Sequence, residues 1–170
     1  MIECIRFAPN TLEPQIPDNA YYWEGDEKAS LTGGWIEGFN TGVAELIREK
    51  QPQRLYIKAT RKDTGATSAG GSYEISTKVD LTNISTIKID WENTGNTADA
   101  RSFIEVGGNS GDTSYDVRIF ELDTFLRKIQ SLDVSVLSGV KIIKIRAGTS
   151  ANTVLDTYSE LKIYKVWGEV

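Results

Sequence analysis

The chain has 170 residues, 39% of them hydrophobic and 25% charged, with a formal net charge of −5, which suits a single domain with its own core. The acidic balance argues against a general nucleic-acid binder, and no stretch nears the roughly 20 apolar residues of a membrane helix. Histidine is absent and Cys4 is the only cysteine, which excludes His-based triads, His or thiolate metal sites and any intrachain disulfide.

Residues 1–17 read as a linker or N-terminal segment ahead of a single module over 18–170. Ile2, Ile5 and Phe7 have strand character, but Pro9, Pro14 and Pro17 break up the remainder of that segment. The opening MIECIRFAPNTLEP has no apolar stretch of signal-peptide length. Tyr21, Tyr22 and Trp23 form an aromatic cluster, and GGWIEGFNTG comes after it, with Trp35 and Phe39 able to share a strand face. Val43–Lys50, VAELIREK, is the one segment with a helical turn or two in it, stopped by Pro52. Arg54–Thr60 alternates Leu55, Ile57 and Ala59 against Tyr56 and Lys58, as a strand should.

After a Gly/Ser/Thr loop comes Ile75–Glu92, ISTKVDLTNISTIKIDWE, the segment with the strongest strand signal. Ile87, Ile89 and Trp91 fall at period two, with Lys88 and Asp90 on the opposite phase, so Trp91 is expected in the core. Residues 132–145, LDVSVLSGVKIIKI, repeat its corner: Asp80 matches Asp133, Leu81 matches Val134, Ile84 matches Leu137 and Ser85 matches Ser138. Two such strand-and-corner units imply a sandwich whose sheets use equivalent core strands. Further strands are read at Phe103–Val106, Tyr115–Leu122, Phe125–Leu132, Val140–Ala147 and Leu161–Trp167. In Tyr115–Leu122, Tyr115, Val117 and Ile119 fall on one phase, with Arg118 and Phe120 on the other. About eight to ten short strands, turn-rich separators and no βαβ spacing predict an all-β antiparallel sandwich of jelly-roll type with little helix. Pairing of its terminal strands would bring residue 18 near residue 170.

Saccharides stack on aromatic rings through their C–H faces and pair their hydroxyls with nearby polar groups, so exposed rings flanked by such groups are the candidates for binding. Trp35, freed by Gly33, Gly34 and Gly38 and close to Glu37, is one; Trp23 and Tyr22 are others, since three consecutive aromatics cannot all point inward from a strand. Tyr115 and Arg118 flank a polar loop, and Tyr115 joins the ligand-binding candidates. Each of these rings would serve equally well in packing, as expected of Trp91 and Trp167. Glu24, Asp26 and Glu27, or Asp112 and Asp116, could contribute to a structural calcium, but none has calcium-loop spacing, so no metal site and no cofactor is assigned. Carboxylates such as Glu37, Glu105 and Asp116 are too common to imply glycoside hydrolysis, and no catalytic residue is assigned.

The segments YEISTKVDLTNISTIKIDWENTGN, SLDVSVLSG and LKIYKVWGE resemble jelly-roll, carbohydrate-binding-like modules of tail and baseplate-associated proteins from phages and prophages of Gram-positive bacteria. The resemblance covers about residues 30–170 and carries no chemical motif, so no ligand residue transfers with it. It implies a non-enzymatic accessory domain of a larger, phage-tail-related protein. Its partners would be cell-surface or cell-wall polysaccharide and neighbouring tail or virion subunits, and its location the virion or extracellular surface after lysis. The alternative is a structural or assembly domain with no ligand of its own. Buried aromatics and an exposed apolar patch would favour the second reading, and exposed rings beside polar side chains the first.

Overall fold

The structure is a computed structural model that describes residues 21–24, 36–40, 43–50, 53–60, 72–96, 100–109, 112–149 and 156–170, with the backbone alone for 21–24, 36–40, 43–50, 53 and 72–74. Residues 1–17 and the expected start of the module at residue 18 lie outside the described residues.

Eleven strands are present among the described residues: β1 (Tyr21–Glu24), β2 (Ile36–Asn40), β3 (Val43–Lys50), β4 (Gln53–Thr60), β5 (Ser72–Asp80), β6 (Thr86–Asn93), β7 (Ala100–Val106), β8 (Val117–Leu122), β9 (Phe125–Asp133), β10 (Val140–Thr149) and β11 (Tyr158–Glu169). Sheet A has the order β3-β4-β11-β6-β9, with β1 also paired to β11; sheet B has the order β2-β5-β10-β7-β8. Every strand pairing is antiparallel. The two sheets face each other as a jelly-roll sandwich. Tyr21 pairs with Trp167, so the first and last of the described strands meet.

Val43–Lys50 is not helical. It pairs with β4 residue for residue from Val43–Thr60 to Lys50–Gln53. Eight residues are too few for a helix to hold by itself, and a complete ladder on β4 satisfies every second backbone group, so tertiary pairing overrides the helical propensity of Glu, Leu and Lys.

The core follows the alternation of the strands. On β6 every second residue is buried, and Ile87, Ile89 and Trp91 have no exposed surface. They meet Leu55, Ile57 and Ala59 of β4, Leu161, Ile163 and Val166 of β11, and Ile143, Ile145 and Ile104 from sheet B. The Trp91 indole donates to Gln130 Oε1 at 2.7 Å, which satisfies its one polar atom, and its ring lies 5.4 Å from that of Phe125. The buried amide of Asn93 donates to the hydroxyls of Ser102 at 2.6 Å and Ser159 at 2.8 Å, tying the sheets together by a satisfied polar contact.

The two related corners carry the chain between sheets, β5 to β6 in one direction and β9 to β10 in the other. Asp80 Oδ1 accepts the Thr82 amide at 3.0 Å and its hydroxyl at 2.6 Å, and Asp133 Oδ1 accepts the Ser135 amide at 2.9 Å. One turn is closed by Ile84 N to Leu81 O at 3.0 Å and the other by Leu137 N to Val134 O at 2.8 Å. The corners then bond each other reciprocally: Leu81 N donates to Gly139 O at 2.9 Å, and Val134 N donates to Ser85 O at 2.8 Å. Leu81 and Val134 are fully buried. The internal repeat is therefore a structural pair with approximate two-fold character.

Hydrogen bonds from Thr82, its hydroxyl first, and from Ser135 hold the Asp80 and Asp133 carboxyls below the usual aspartate range. Depressed folded-state values mean that this contribution is complete above the unfolded value, about 3.9, and is lost as pH falls through the folded values. Urea unfolding measured against pH should therefore show a loss of stability below about pH 4 that is shallower in the Asp80→Asn/Asp133→Asn double variant. In the same assay, Leu81→Ala should cost about 2–5 kcal/mol, as for other buried leucines.

Candidate functional site

The outer face of sheet A carries aromatic and charged side chains that satisfy one another. Arg127 forms a two-point ion pair with Asp90 at 2.9 and 2.7 Å and lies 3.8 Å from the centroid of the Tyr164 ring. Tyr164 Oη and Lys162 Nζ both donate to Glu92 Oε1, at 2.9 and 3.0 Å. Lys88 pairs with Glu169 at 2.8 Å, and the Trp167 indole donates to the same carboxylate group at 3.1 Å. Tyr56 and Trp167 are buried, at 8% and 6% exposure. Among the described residues of this face, most rings are covered and most donors occupied.

Sheet B differs. Its outer face has three successive rows across β10, β7 and β8: Lys144–Glu105–Arg118, Arg146–Phe103–Phe120 and Gly148–Arg101–Leu122. Period-two geometry makes these rows inevitable once Ile143, Ile145, Ile104, Val117 and Ile119 point inward. Phe103 and Phe120 stack at 4.8 Å between centroids and 19° between planes. The Arg146 guanidinium lies 4.4 Å from the Phe103 centroid, and that of Arg118 lies 4.5 Å from Tyr115 and 5.6 Å from Phe120. Tyr115 and Phe120 are each 39% exposed. The result is a band of rings and guanidinium groups mounted on strands, with its outermost rings open.

Beside this band, charges are buried on what should be a wet face. Lys144 and Glu105 have no exposed surface. Arg146 Nη2 donates to Glu105 Oε1 at 3.0 Å, and Lys144 Nζ stands 4.0 Å from Glu105 Oε2. Burial pushes the Glu105 carboxyl up, against the opposing pull of Arg146 and then Lys144. Lys144 is covered by the β7–β8 loop: its ammonium donates to the carbonyls of Asn109 at 3.3 Å, Asp112 at 3.2 Å and Ser114, and to Asp112 Oδ1 at 3.2 Å. Asp112 also accepts from Ser114 and Asn109, and these donors hold its carboxyl well below the usual range, Ser114 foremost. The loop closes over the lysine because Gly108 takes φ +68°, where a Cβ would fall 2.1 Å from Ser114 O. A hollow of about 310 Å³ opens beside it, lined by Lys78, Gly107, Gly108, Val140, Lys141 and Ile142.

The expected binding residues are distributed unevenly. Trp35 lies outside the described residues. Tyr22 and Trp23 belong to β1, where Trp23 pairs with Val166 in sheet A, and Glu37 belongs to β2 at the far edge of sheet B, opposite Ile75; the described backbone places these three on different sheets. Tyr115 is the one of the five whose side chain is described, and it reaches the aromatic band. The phase assigned to it needs correction: Tyr115 precedes β8, so strand alternation does not govern it, and it meets Arg118 instead of opposing it. Phe103, Arg146, Lys144 and Glu105 are not legible as a site in the sequence. The one signal there is that Phe103 and Phe120 stand in phase with Arg101, Glu105 and Arg118, the wet phase of their strands. As for the acidic residues weighed for calcium, Glu24 is described by its backbone alone, Asp26 and Glu27 lie outside the described residues, Asp112 is engaged by Lys144, and Asp116 pairs with Lys141 at 3.1 Å. Among the described residues no three His, Cys, Asp or Glu side chains gather as a metal site.

No family model matches the sequence, and no curated protein matches it. Solved structures share its fold at low identity. A structure reported for carbohydrate-binding modules of a β-sandwich superfamily with promiscuous specificity is 11% identical, with a TM-score of 0.57 over 90% of this chain and 64% of that one. A family 28 carbohydrate-binding module specific for non-crystalline cellulose is 9% identical, with a TM-score of 0.53 over 89% of this chain and 93% of that one. A family 4 module is 14% identical, with a TM-score of 0.50 over 80% and 95%. The chain therefore has the jelly-roll fold of carbohydrate-binding modules.

Removing the Lys144 ammonium would leave three carbonyls and two carboxylates around a buried space with no cation in it. Lys144→Met is expected to lower the unfolding free energy by about 3–5 kcal/mol, the range for breaking a buried pair, as read by urea denaturation.

Proposed function

We propose that the chain is a non-catalytic carbohydrate-binding module that receives saccharide on the outer face of sheet B. The observation that carries this reading is the open pair of rings, Tyr115 and Phe120, set beside Arg118 on a strand-built platform. A ring presents the flat apolar surface that a pyranose C–H face needs, and the guanidinium supplies donors for its oxygens. Strands hold these groups in place before the ligand arrives, which lowers the ordering cost of binding. The fold shared with modules named for binding carbohydrate supports the same reading.

For the setting, we infer a larger phage-tail-related protein, in which the module would recognise a host cell-surface or cell-wall glycan beside neighbouring tail or virion subunits, on the virion or in the extracellular space after lysis. The segments of sequence that resemble tail-associated modules support this inference. A structural or assembly role is the second reading. It draws on exposed apolar side chains in β9 and near the second corner: Leu126 at 87%, Ile129 at 60%, Val136 at 82% and Val140 at 66% exposure.

A glycan array and a pull-down on isolated cell walls, made with the whole chain, separate the two. Saturable binding should fall by at least about tenfold in Phe120→Ala and Tyr115→Ala, with folding unchanged by circular dichroism. Undiminished binding in both variants would remove the platform from sheet B. No binding by the parent chain to any wall or glycan would leave the assembly reading in its place.

A further inference from the structure

The charge of the sheet B face runs against that of the chain. In the three outward rows of β10, β7 and β8, Arg101, Arg118, Lys144 and Arg146 stand against Glu105, and the loop over them adds Asp112 and Asp116, four positive charges less three negative, while the chain as a whole carries −5. The carboxylates are already engaged, Glu105 by Arg146, Asp112 by Lys144 and Asp116 by Lys141. Arg118 makes no ion pair among the described residues; its guanidinium touches the Tyr115 and Phe120 rings. Nε of Arg101 and Nε of Arg146, which is itself 8% exposed, are buried donors with no acceptor among the described residues. Orphaned donors are costly unless an acceptor reaches them. Those here lie in the row of Phe103 and Phe120 and the row beside it.

Resting on the carbohydrate-binding reading above, we propose that the ligand is an acidic saccharide, a polymer of uronic-acid residues, with a sugar face on Tyr115 and Phe120 and its carboxylate on the Arg118 guanidinium. A planar guanidinium offers parallel N–H donors that suit a two-point pairing with carboxylate. Steric and apolar complementarity come from the rings, and the discrimination against neutral sugars comes from the charge. Lys78 of β5 lies on the same face, beside the hollow next to the β7–β8 loop, and Glu74 of that strand is registered opposite Arg146. A neutral polysaccharide would leave Arg118 paired with rings alone, and an extended acidic peptide would lack the flat C–H face that stacks on Tyr115 and Phe120.

The test is titration calorimetry of the whole chain against polygalacturonate and alginate, each compared with its carboxyl-reduced form, and against polyglutamate. The acidic polymers should bind at least about tenfold tighter than their reduced forms, with affinity falling as salt is added. Arg118→Gln should abolish that difference, Arg118→Lys should restore part of it, and Phe120→Ala should weaken the acidic and reduced forms alike. Equal binding of the acidic and reduced polymers would overturn the acidic ligand while leaving the carbohydrate reading standing. Polyglutamate binding as tightly as the polyuronates would overturn the saccharide class, and an acidic preference that persists in Arg118→Gln would overturn the assigned site. No binding to either the acidic or the reduced forms, together with a blank glycan array, would remove both readings at once.

Discussion

The reciprocal bonding of the two corners is the constraint on which the rest of this sandwich depends. Each corner turns a strand of one sheet into a strand of the other, and each donates a backbone amide to the other: Leu81 to Gly139 and Val134 to Ser85. A buried amide without a partner is expensive, so the two crossings specify each other and neither can shift register alone. With β5, β6, β9 and β10 fixed in this way, the positions of β11 between β4 and β6 and of β7 beside β10 follow from edge pairing. The aspartate that begins each corner serves the local turn, and the aliphatic residue after it fills the core.

That frame explains why charge is buried on sheet B. Once Ile143, Ile145 and Ala147 are committed inward, Lys144 and Arg146 must face out, where the β7–β8 loop folds over the lysine. A lone ammonium there would be prohibitively desolvated, but three carbonyls and two carboxylates surround it. The lysine thereby anchors the loop that ends in Tyr115, and Tyr115 in turn lies against Arg118. Core packing, loop position and the aromatic band are thus linked through one side chain.

The two outer faces show how similar compositions diverge. On sheet A, Tyr164, Arg127, Asp90, Glu92 and Lys162 form a closed set of ion pairs and hydrogen bonds. On sheet B, the rings are open and guanidinium donors lack acceptors among the described residues. Exposure of the rings and incomplete pairing distinguish a surface that can gain from a ligand from one whose groups already satisfy one another.

By itself, the sequence determined the all-β class, the core phase of β4 and β6, and the kinship of the two corners. Those are local or periodic properties: alternation of Ile87, Ile89 and Trp91 reports burial directly, and Asp80 and Asp133 encode the same turn. It misread Val43–Lys50, because a strand made by pairing to a neighbour leaves a weak mark on its own residues. Of the proposed site, Tyr115 and Arg118 stood out in the sequence, beside a polar loop. Its other members, Phe103, Phe120, Lys144 and Arg146, lie on three strands that are separated along the chain and adjacent only through the order β10-β7-β8. Which strands become neighbours is set by long-range hydrogen bonding and core packing, so only the tertiary structure could decide that these residues share one face.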